Sequence, residues 1–497
     1  MKNWFIILLC LSFNACTSPS SRQPAKPNII FIMADDLGWQ DVGFMGSKWF
    51  ETPNLDKRAN ESLVFTNAYM YPTCSPSRTA LFTGRQSFRT GVYTVPVLER
   101  GDDQANIFSR WTVGQEHPIF AQPLNDAGYK LIHLGKWHIV GPNPEEEQDY
   151  PFDKKLKQPG NGDVSWVEKH QRDYKQYYPE GRGFHENVGG TWWGDPARGY
   201  EEGYNSESGG YKAPFKNPFI EDKEGDGWLT DRLTDDAIDF MERNKEGPFF
   251  VNLHYYAPHR PTKPRNEAWL QKFMEKAPDT VTGQGETNLE EIAGYATMIA
   301  SIDENVQRIF DYLDKEGLRE NTIVIFTSDN GFNGLQSNTN TLRGAKGTVY
   351  EGGIRVPSFV NWKGQLTPGR SETPICGMDY FPTFLALADI DDYQEVLDGE
   401  NLVPIWKGEK GRESPLFWHL ASTYQNPPSS IIRKGKWKLI QFLNDGKVEL
   451  YNLEDDLKES KNLAEENTQI ASDLLDELVR WRKENKVPLP PASGLAF

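Results

Sequence analysis

Three short apolar runs, each ending in polar residues able to hold a ligand, constrain this chain more than any other feature. Residues 28–33 (Asn-Ile-Ile-Phe-Ile-Met) lead into Ala34-Asp35-Asp36. Residues 322–326 lead into Thr327-Ser328-Asp329-Asn330-Gly331, and residues 248–253 lead toward His254 and His259. Apolar runs of this length, without polar alternation, are the pattern of strands buried on both faces. Helical patterns lie between them, for example over residues 231–243 and 289–315. Strands alternating with helices predict an α/β fold, a central, mostly parallel sheet sandwiched by helices. In open α/β sheets ligands collect at the carboxyl ends of the strands, where all three polar endings fall.

The texture of the 497-residue chain changes twice. From about residue 143 to 211 it is rich in Gly, Pro, Tyr, Trp and charge, with weak periodicity. This reads as long loops over the sheet edge that shape a pocket. After about Gly408, short runs at 415–419, 430–433, 437–442 and 448–453 are separated by turns at Lys434-Gly435 and Asn444-Asp445-Gly446. They predict an antiparallel sheet, followed by a polar helix over about 468–484. The expected organisation is a main domain over 28–408 and a smaller C-terminal subdomain over 409–497.

The start of the chain reads as a targeting segment. Lys2 is followed by an apolar stretch, residues 4–11, too short to span a bilayer, and then by Ala15-Cys16. A Ser/Pro-rich linker over 17–27 comes next. A small residue followed by cysteine resembles a lipoprotein cleavage box, although Phe13 stands where such boxes prefer leucine. Residues 1–16 are therefore expected to be a lipoprotein-type signal, with Cys16 acylated and the protein exported and tethered to a membrane. A plain secretory peptide cleaved nearby is the alternative. No later segment approaches eighteen uninterrupted apolar residues.

The chain carries 71 acidic and 54 basic residues, a net charge of −17. A nucleic-acid partner would be repelled over most of such a surface. An anionic substrate needs positive charge concentrated locally.

Asp35, Asp36, Asp329 and Asn330 come from two strand ends about 290 residues apart. If those strands are neighbours, four oxygen ligands converge, and a divalent cation relieves the repulsion of their carboxylates. Oxygen-only ligands with a neutral amide suit a hard ion, and a spacious, irregular site favours Ca2+ over Mg2+. No His/Cys grouping has zinc-type spacing.

Residues 74–85 read Cys-Ser-Pro-Ser-Arg-Thr-Ala-Leu-Phe-Thr-Gly-Arg. This stretch resembles the sulfatase signature Cys-x-Pro-Ser-Arg-x-x-Leu-x-Thr-Gly-Arg at all eight specified positions. The resemblance implies the alkaline-phosphatase-like α/β fold. It also implies that a maturation enzyme oxidises Cys74 to formylglycine, whose hydrate attacks sulfur. The four oxygen ligands above, with an oxygen of converted Cys74, would form the family's calcium site. A thiolate is soft and mismatched to a hard cation, whereas an aldehyde hydrate offers two oxygens. With Cys10 removed, Cys16 acylated and Cys74 converted, Cys376 has no partner and no disulfide is expected.

Further blocks resemble the same family. Pro76 and Ser77 fit the first turn of a helix running to about Thr83, leaving amide groups free for an anion. Arg78 would hold the hydrate. Gly135-Lys136-Trp137-His138 follows the apolar run 131–134; Lys136 would bind sulfate and His138 would be the base. In His254-Tyr-Tyr-Ala-Pro-His259-Arg-Pro, His259 matches a sulfate ligand and acid for the leaving alcohol, and His254 reads as a packed or rim residue. Leu342-Arg343-Gly-Ala-Lys346 supplies Lys346, a sulfate contact sharing the acid role, and Glu351 with Arg355 reads as a structural ion pair. Gly-Lys-Trp-Lys-Leu-Ile at 435–440 and Leu-Tyr-Asn-Leu-Glu at 450–454 also resemble sulfatases.

The implied reaction is in-line attack on a sulfate monoester. A covalent sulfo-enzyme forms, its charge is neutralised by Lys136, Lys346, Arg78 and the cation, and His138 triggers release. Export and the Trp/Tyr-rich region over 173–211 fit a sulfated carbohydrate substrate, since aromatic faces pack on sugar rings; the alternative for these aromatics is packing in the core. Two other readings are a phosphodiesterase or phosphonate monoester hydrolase of the same superfamily, and a glycan-binding lipoprotein with a dead site. The residues select no particular sugar and no oligomeric state.

Overall fold

The computed structural model describes residues 26–96, 99–100, 106–149, 164–196, 210–278, 289–334, 341–412, 414–422, 424–493 and 495. The expected signal segment, Cys16 and the linker up to residue 25 lie outside the described residues.

Nine strands form the main sheet: β1 (Asn28–Ala34), β2 (Leu63–Tyr69), β3 (Lys130–Gly135), β4 (Glu186–Val188), β5 (Phe249–His254), β6 (Thr322–Ser328), β7 (Arg355–Trp362), β8 (Gly369–Ser371) and β9 (Ile375–Cys376). Their order is β4-β3-β5-β1-β6-β7-β2-β8, with β9 also on β2. Every pair is parallel except β6–β7 and β7–β2, so β7 alone runs against the rest. Strand β1 is central. It pairs with β5 on one side (Met33 opposite His254) and with β6 on the other (Ala34 opposite Ser328). Chain order reverses across β1, and that is the position where open sheets leave a crevice.

All of β1, β5 and β6 is buried, as unbroken apolar runs require. The helices that cover the sheet are α1 (Cys74–Thr83), α2 (Leu229–Asn244), α3 (Leu289–Lys315) and α4 (Tyr380–Leu387). Strand side chains alternate between faces. Ile30, Ile32 and Ala34 pack with Leu233, Phe240, Ile299 and Val306 of α2 and α3. Ile29, Phe31 and Met33 pack with Leu81 and Phe82 of α1 and with Tyr380 and Phe384 of α4. The Phe31 ring meets Tyr380 edge-on at 5.0 Å. Truncating such a side chain to alanine costs about 3–5 kcal/mol.

A second sheet, β10 (Leu416–Leu420), β11 (Ser429–Lys434), β12 (Trp437–Phe442) and β13 (Val448–Asn452), is antiparallel throughout. On one face Ile432, Leu439 and Leu450 pack on Leu474 and Leu478 of α5 (Thr468–Glu484). On the other, Trp418, Ile431, Ile440 and Tyr451 pack on Tyr69, Tyr71 and Ile354 of the main body. The two sheets thus share a buried seam.

The stretch expected to be loops over the edge holds more structure than that. It includes a helix (Val164–Asp173) and β4, which closes the sheet beside β3. Its described aromatics Tyr178, Trp192, Trp193 and Tyr211 are almost wholly buried. The expected stacking of this region on sugar rings is therefore corrected for these four side chains: they bury apolar area in the core instead. Cys74 and Cys376 are free buried thiols. Among the described residues no helix is long and apolar enough to cross a membrane.

Candidate active site

The expected catalytic, sulfate-binding and metal residues all lie at or just beyond one end of the main-sheet strands. Asp35 and Asp36 follow β1, Lys136 and His138 follow β3, His259 follows β5, and Asp329 and Asn330 follow β6. Cys74 and Arg78 stand on α1, which follows β2. Lys346 precedes β7, and because β7 is reversed its beginning lies at the same end. The topology gathers residues from six separate stretches of sequence.

Local backbone geometry places the side chains. Asp36 and His138 adopt left-handed φ values of 66° and 57°, uncommon for residues with a side chain and typical of strained functional positions. The Tyr295 hydroxyl, on α3, sits 2.9 Å from the Asp36 carbonyl oxygen and 2.7 Å from Asp41 Oδ2. Gly135 has φ 87°, and a Cβ there would lie 2.0 Å from the His254 carbonyl oxygen. Only glycine lets β3 pass β5 closely enough for the Lys136 N–H to donate to that carbonyl (2.9 Å).

Cys74 opens α1 and is 1% exposed. Its Sγ lies 3.6 Å from Asp35 Oδ1 and 3.9 Å from Asp36 Oδ1. Burial pushes the thiol well above its ordinary range, and the pull of Lys136 and Lys346 does not offset it. A thiol held protonated in this way is a poor nucleophile.

Three carboxylates and three cations ring it. Lys136 Nζ donates to Asp35 Oδ2 (2.7 Å), and Lys346 Nζ donates to Asp36 Oδ2 (2.8 Å). Arg78 Nε and Nη2 both donate to Asp329 Oδ2 (3.1 and 2.9 Å), while Nη1 donates to the Lys136 carbonyl (2.9 Å) and faces His254 Nδ1 (3.0 Å). The guanidinium is therefore committed to aligning Asp329 and the Lys136 backbone, and His254 is fully buried behind it. Asp329 Oδ1 accepts the Asp36 N–H (3.1 Å), and Asn330 Nδ2 donates to Asp36 Oδ1 (2.9 Å).

Charge in this cluster is unevenly matched. Burial, with Asp329 close by, holds the Asp35 carboxyl well above the usual carboxylate range despite Lys136. For Asp36 burial acts in the same sense, but Lys346, His259 and Lys136 outweigh it and hold the carboxyl low. Burial disfavours the Lys346 ammonium, yet Asp36 and its neighbours keep it protonated. His259 is pushed down to about 4 by burial and by the two lysines; a bound anion would act in the opposite sense. His138 is held well below its ordinary value, first by burial and then by Lys136 and Arg78. Its buried Nδ1 has no hydrogen-bond partner.

These residues fit a divalent metal ion. Ligand atoms of Asp35, Asp36, Cys74 and His259 lie within 4.8 Å of one another. The buried Oδ1 of Asn330 lacks a partner, an acceptor left open for a cation. Oxygen donors of this kind suit a hard ion. His259 joins the ligand atoms in space, although the sequence reading placed it on the sulfate. Asp329 and Asn330 flank them through their bonds to Asp36.

Two contributors escaped the sequence reading. Asp195 Oδ1 lies 3.3 Å from His259 Nδ1, and Tyr295 braces the Asp36 backbone. Asp195 stands in the aperiodic region and Tyr295 inside an apolar helix pattern, so neither carried a motif signal.

A family model described as Sulfatase matches residues 27–390, and one described as N-sulphoglucosamine sulphohydrolase, C-terminal, matches residues 345–484. The chain is 28% identical to a sulfatase of Formosa agariphila over 93% of this chain and 90% of that one. It is 31% identical to the N-acetylgalactosamine-6-sulfatase of Canis lupus familiaris over 84% of this chain and 72% of that one. Its fold is similar to the crystal structure of Ps i-CgsB in complex with k-i-k-neocarrahexaose, with a TM-score of 0.69, 26% identity and 92% of each chain covered.

Proposed function

The chain belongs to the sulfatase family, and from that premise we propose that it removes sulfate from carbohydrate monoesters, with residue 74 matured to formylglycine and Ca2+ as the metal. One observation carries this reading: Cys74, buried at the start of α1, stands beside Asp35 and Asp36 inside a ring formed by Lys136, Lys346 and Arg78. The matured side chain would supply an oxygen nucleophile, and an ion held by Asp35, Asp36, Asp329, Asn330 and residue 74 would supply Lewis acidity toward a sulfate oxygen.

The chain's own groups do the rest. Asp35, Asp36 and Asp329 offer negative charge to a dication, and Lys136 and Lys346 offer positive charge to the monoester. Lys136 and Lys346 carry ammonium groups where charge builds on the sulfate oxygens, and their burial strengthens that interaction. Arg78 fixes Asp329 and the Lys136 backbone, which pre-organises the ring. His138, neutral and with an open Nδ1, takes up a proton at that atom. His259 delivers a proton from Nε2 to the leaving alcohol oxygen, with Lys346 close enough to Asp36 to share the role.

Sugar sulfates are favoured by what the relatives act on: N-acetylgalactosamine-6-sulfatases and a structure holding a neocarrahexaose are among them. The leader and Cys16 support export with a lipid anchor, and Cys74 requires a maturation enzyme as a partner. The test is sulfate release from a panel of defined sulfated oligosaccharides, with matched phosphate esters in parallel. Turnover of one or more sulfated sugars supports the reading. Turnover of phosphate esters alone rejects it.

A further inference from the structure

Residues 191–195 (Thr-Trp-Trp-Gly-Asp) form a strap that touches both site histidines. The Thr191 carbonyl accepts the His138 N–H (3.4 Å). Gly194 lies against the His138 ring: a Cβ there would come within 3.0 Å of Cε1 and 3.1 Å of Nε2. Thr191, Trp192 and Trp193 are buried, which pins the strap. One residue further on, Asp195 places Oδ1 3.3 Å from His259 Nδ1. The same Nδ1 is 2.7 Å from the Arg260 carbonyl oxygen. Two acceptors at one nitrogen put the proton on Nδ1, and Nε2 then faces the site, 3.7 Å from Asp36 Oδ2.

We propose that Asp195 is a positioning residue: its carboxylate, opposite Nδ1, fixes the orientation of the His259 ring so that Nε2 faces the leaving oxygen. This rests on the reading of His259 as the proton donor. In that step the bond from sulfur to the alcohol oxygen breaks and its electron pair stays on oxygen, while a new bond forms from sulfur to the attacking oxygen. His259 enters the step as imidazolium, with protons on both ring nitrogens, and its Nε2 proton passes to the departing oxygen. The imidazole left behind keeps Nδ1–H against Asp195 and the Arg260 carbonyl, and solvent restores the proton at Nε2. A carboxylate behind an imidazole acts in this way in other proton-transfer sites.

A sugar alkoxide is a poor leaving group and needs that proton, whereas 4-nitrophenolate departs without it. Loss of Asp195 is therefore expected to discriminate between leaving groups. Asp195→Asn and Asp195→Ala are compared with wild type for kcat and KM on 4-nitrophenyl sulfate and on the sugar sulfate that wild type turns over best. The expected result is a fall in kcat of roughly a hundredfold on the sugar sulfate and about threefold or less on the aryl sulfate, with KM little changed and partial recovery in Asp195→Glu. Asn is isosteric and the Asp195 side chain is 22% exposed, so folding is expected to be preserved, and matching thermal midpoints verify it. Equal losses on both substrates, or no loss on the sugar sulfate, would overturn the inference while leaving the sulfatase reading intact. Wild type inactive on every sulfate ester would overturn both.

Discussion

Lys438 Nζ and Glu351 Oε1 meet at 3.0 Å with both side chains fully buried, joining the small sheet to the segment that carries Lys346. Glu459 completes the contact: its Oε1 lies 2.9 Å from Lys438 Nζ, and its Oε2 accepts the Glu351 N–H (2.7 Å). Arg355 and the Tyr69 hydroxyl donate to the other Glu351 oxygen (3.1 and 2.9 Å). From Glu351 the path to the site is short. The Gly352 N–H donates to the Arg343 carbonyl (2.8 Å), and the Gly331 N–H, just past Asn330, donates to the Gly353 carbonyl (2.9 Å).

Removing one partner from such a cluster strands the others without compensation. Lys438→Met is expected to cost about 3–5 kcal/mol of stability, read from urea unfolding. Adding Glu459→Gln to it should recover part of the loss, because one of the stranded charges goes. A loss below about 1 kcal/mol would mean that the seam is held by its apolar residues alone.

Glu147, which is none of the proposed metal ligands, gives stability a pH dependence. Burial pushes its carboxyl from 4.5 up to about 7, although it accepts N–H bonds from Trp111 and Thr112. Between those values the folded chain holds a proton that the unfolded chain has released. This contribution is complete below about pH 4.5 and is lost as pH rises through about 7. Glu147→Gln removes it. The variant should gain on wild type by on the order of 3 kcal/mol between pH 4 and 8, measured as urea midpoints at each pH. Parallel curves would contradict the assignment.

Much of the site was legible because each ligand-bearing segment directly follows an unbroken apolar run, and β1, β5 and β6 are buried on both faces. The direction of β7 was not legible, since an apolar pattern has no polarity along the chain. Whether Trp192, Trp193 and Tyr211 are buried or face a sugar was undecided, because aromatic composition is the same in a core and on a sugar-binding face. Lys438 faces inward on a strand, where alternation would place an apolar residue, and nothing nearby in sequence announces its partners. Asp195 reaches His259 only through the tertiary path of an aperiodic segment.

Metal dependence follows from the carboxylates around residue 74. Dialysis against a chelator should stop turnover and lower the thermal midpoint, and Ca2+ should restore both. At a hundredfold excess over Kd the ion adds about 2.7 kcal/mol of stability. Asp36→Asn should weaken the response to Ca2+, measured by calorimetry. Full activity after exhaustive chelation would remove the metal from the account.

The most direct measurement is the chemical state of residue 74 set against turnover. Protein made with and without a maturation enzyme is digested, the aldehyde fraction at position 74 is read by mass spectrometry, and sulfate release is measured on the same samples. Activity should rise in proportion to the aldehyde fraction and vanish in Cys74→Ala, which should still fold. Full turnover by protein whose Cys74 is entirely thiol would contradict the account.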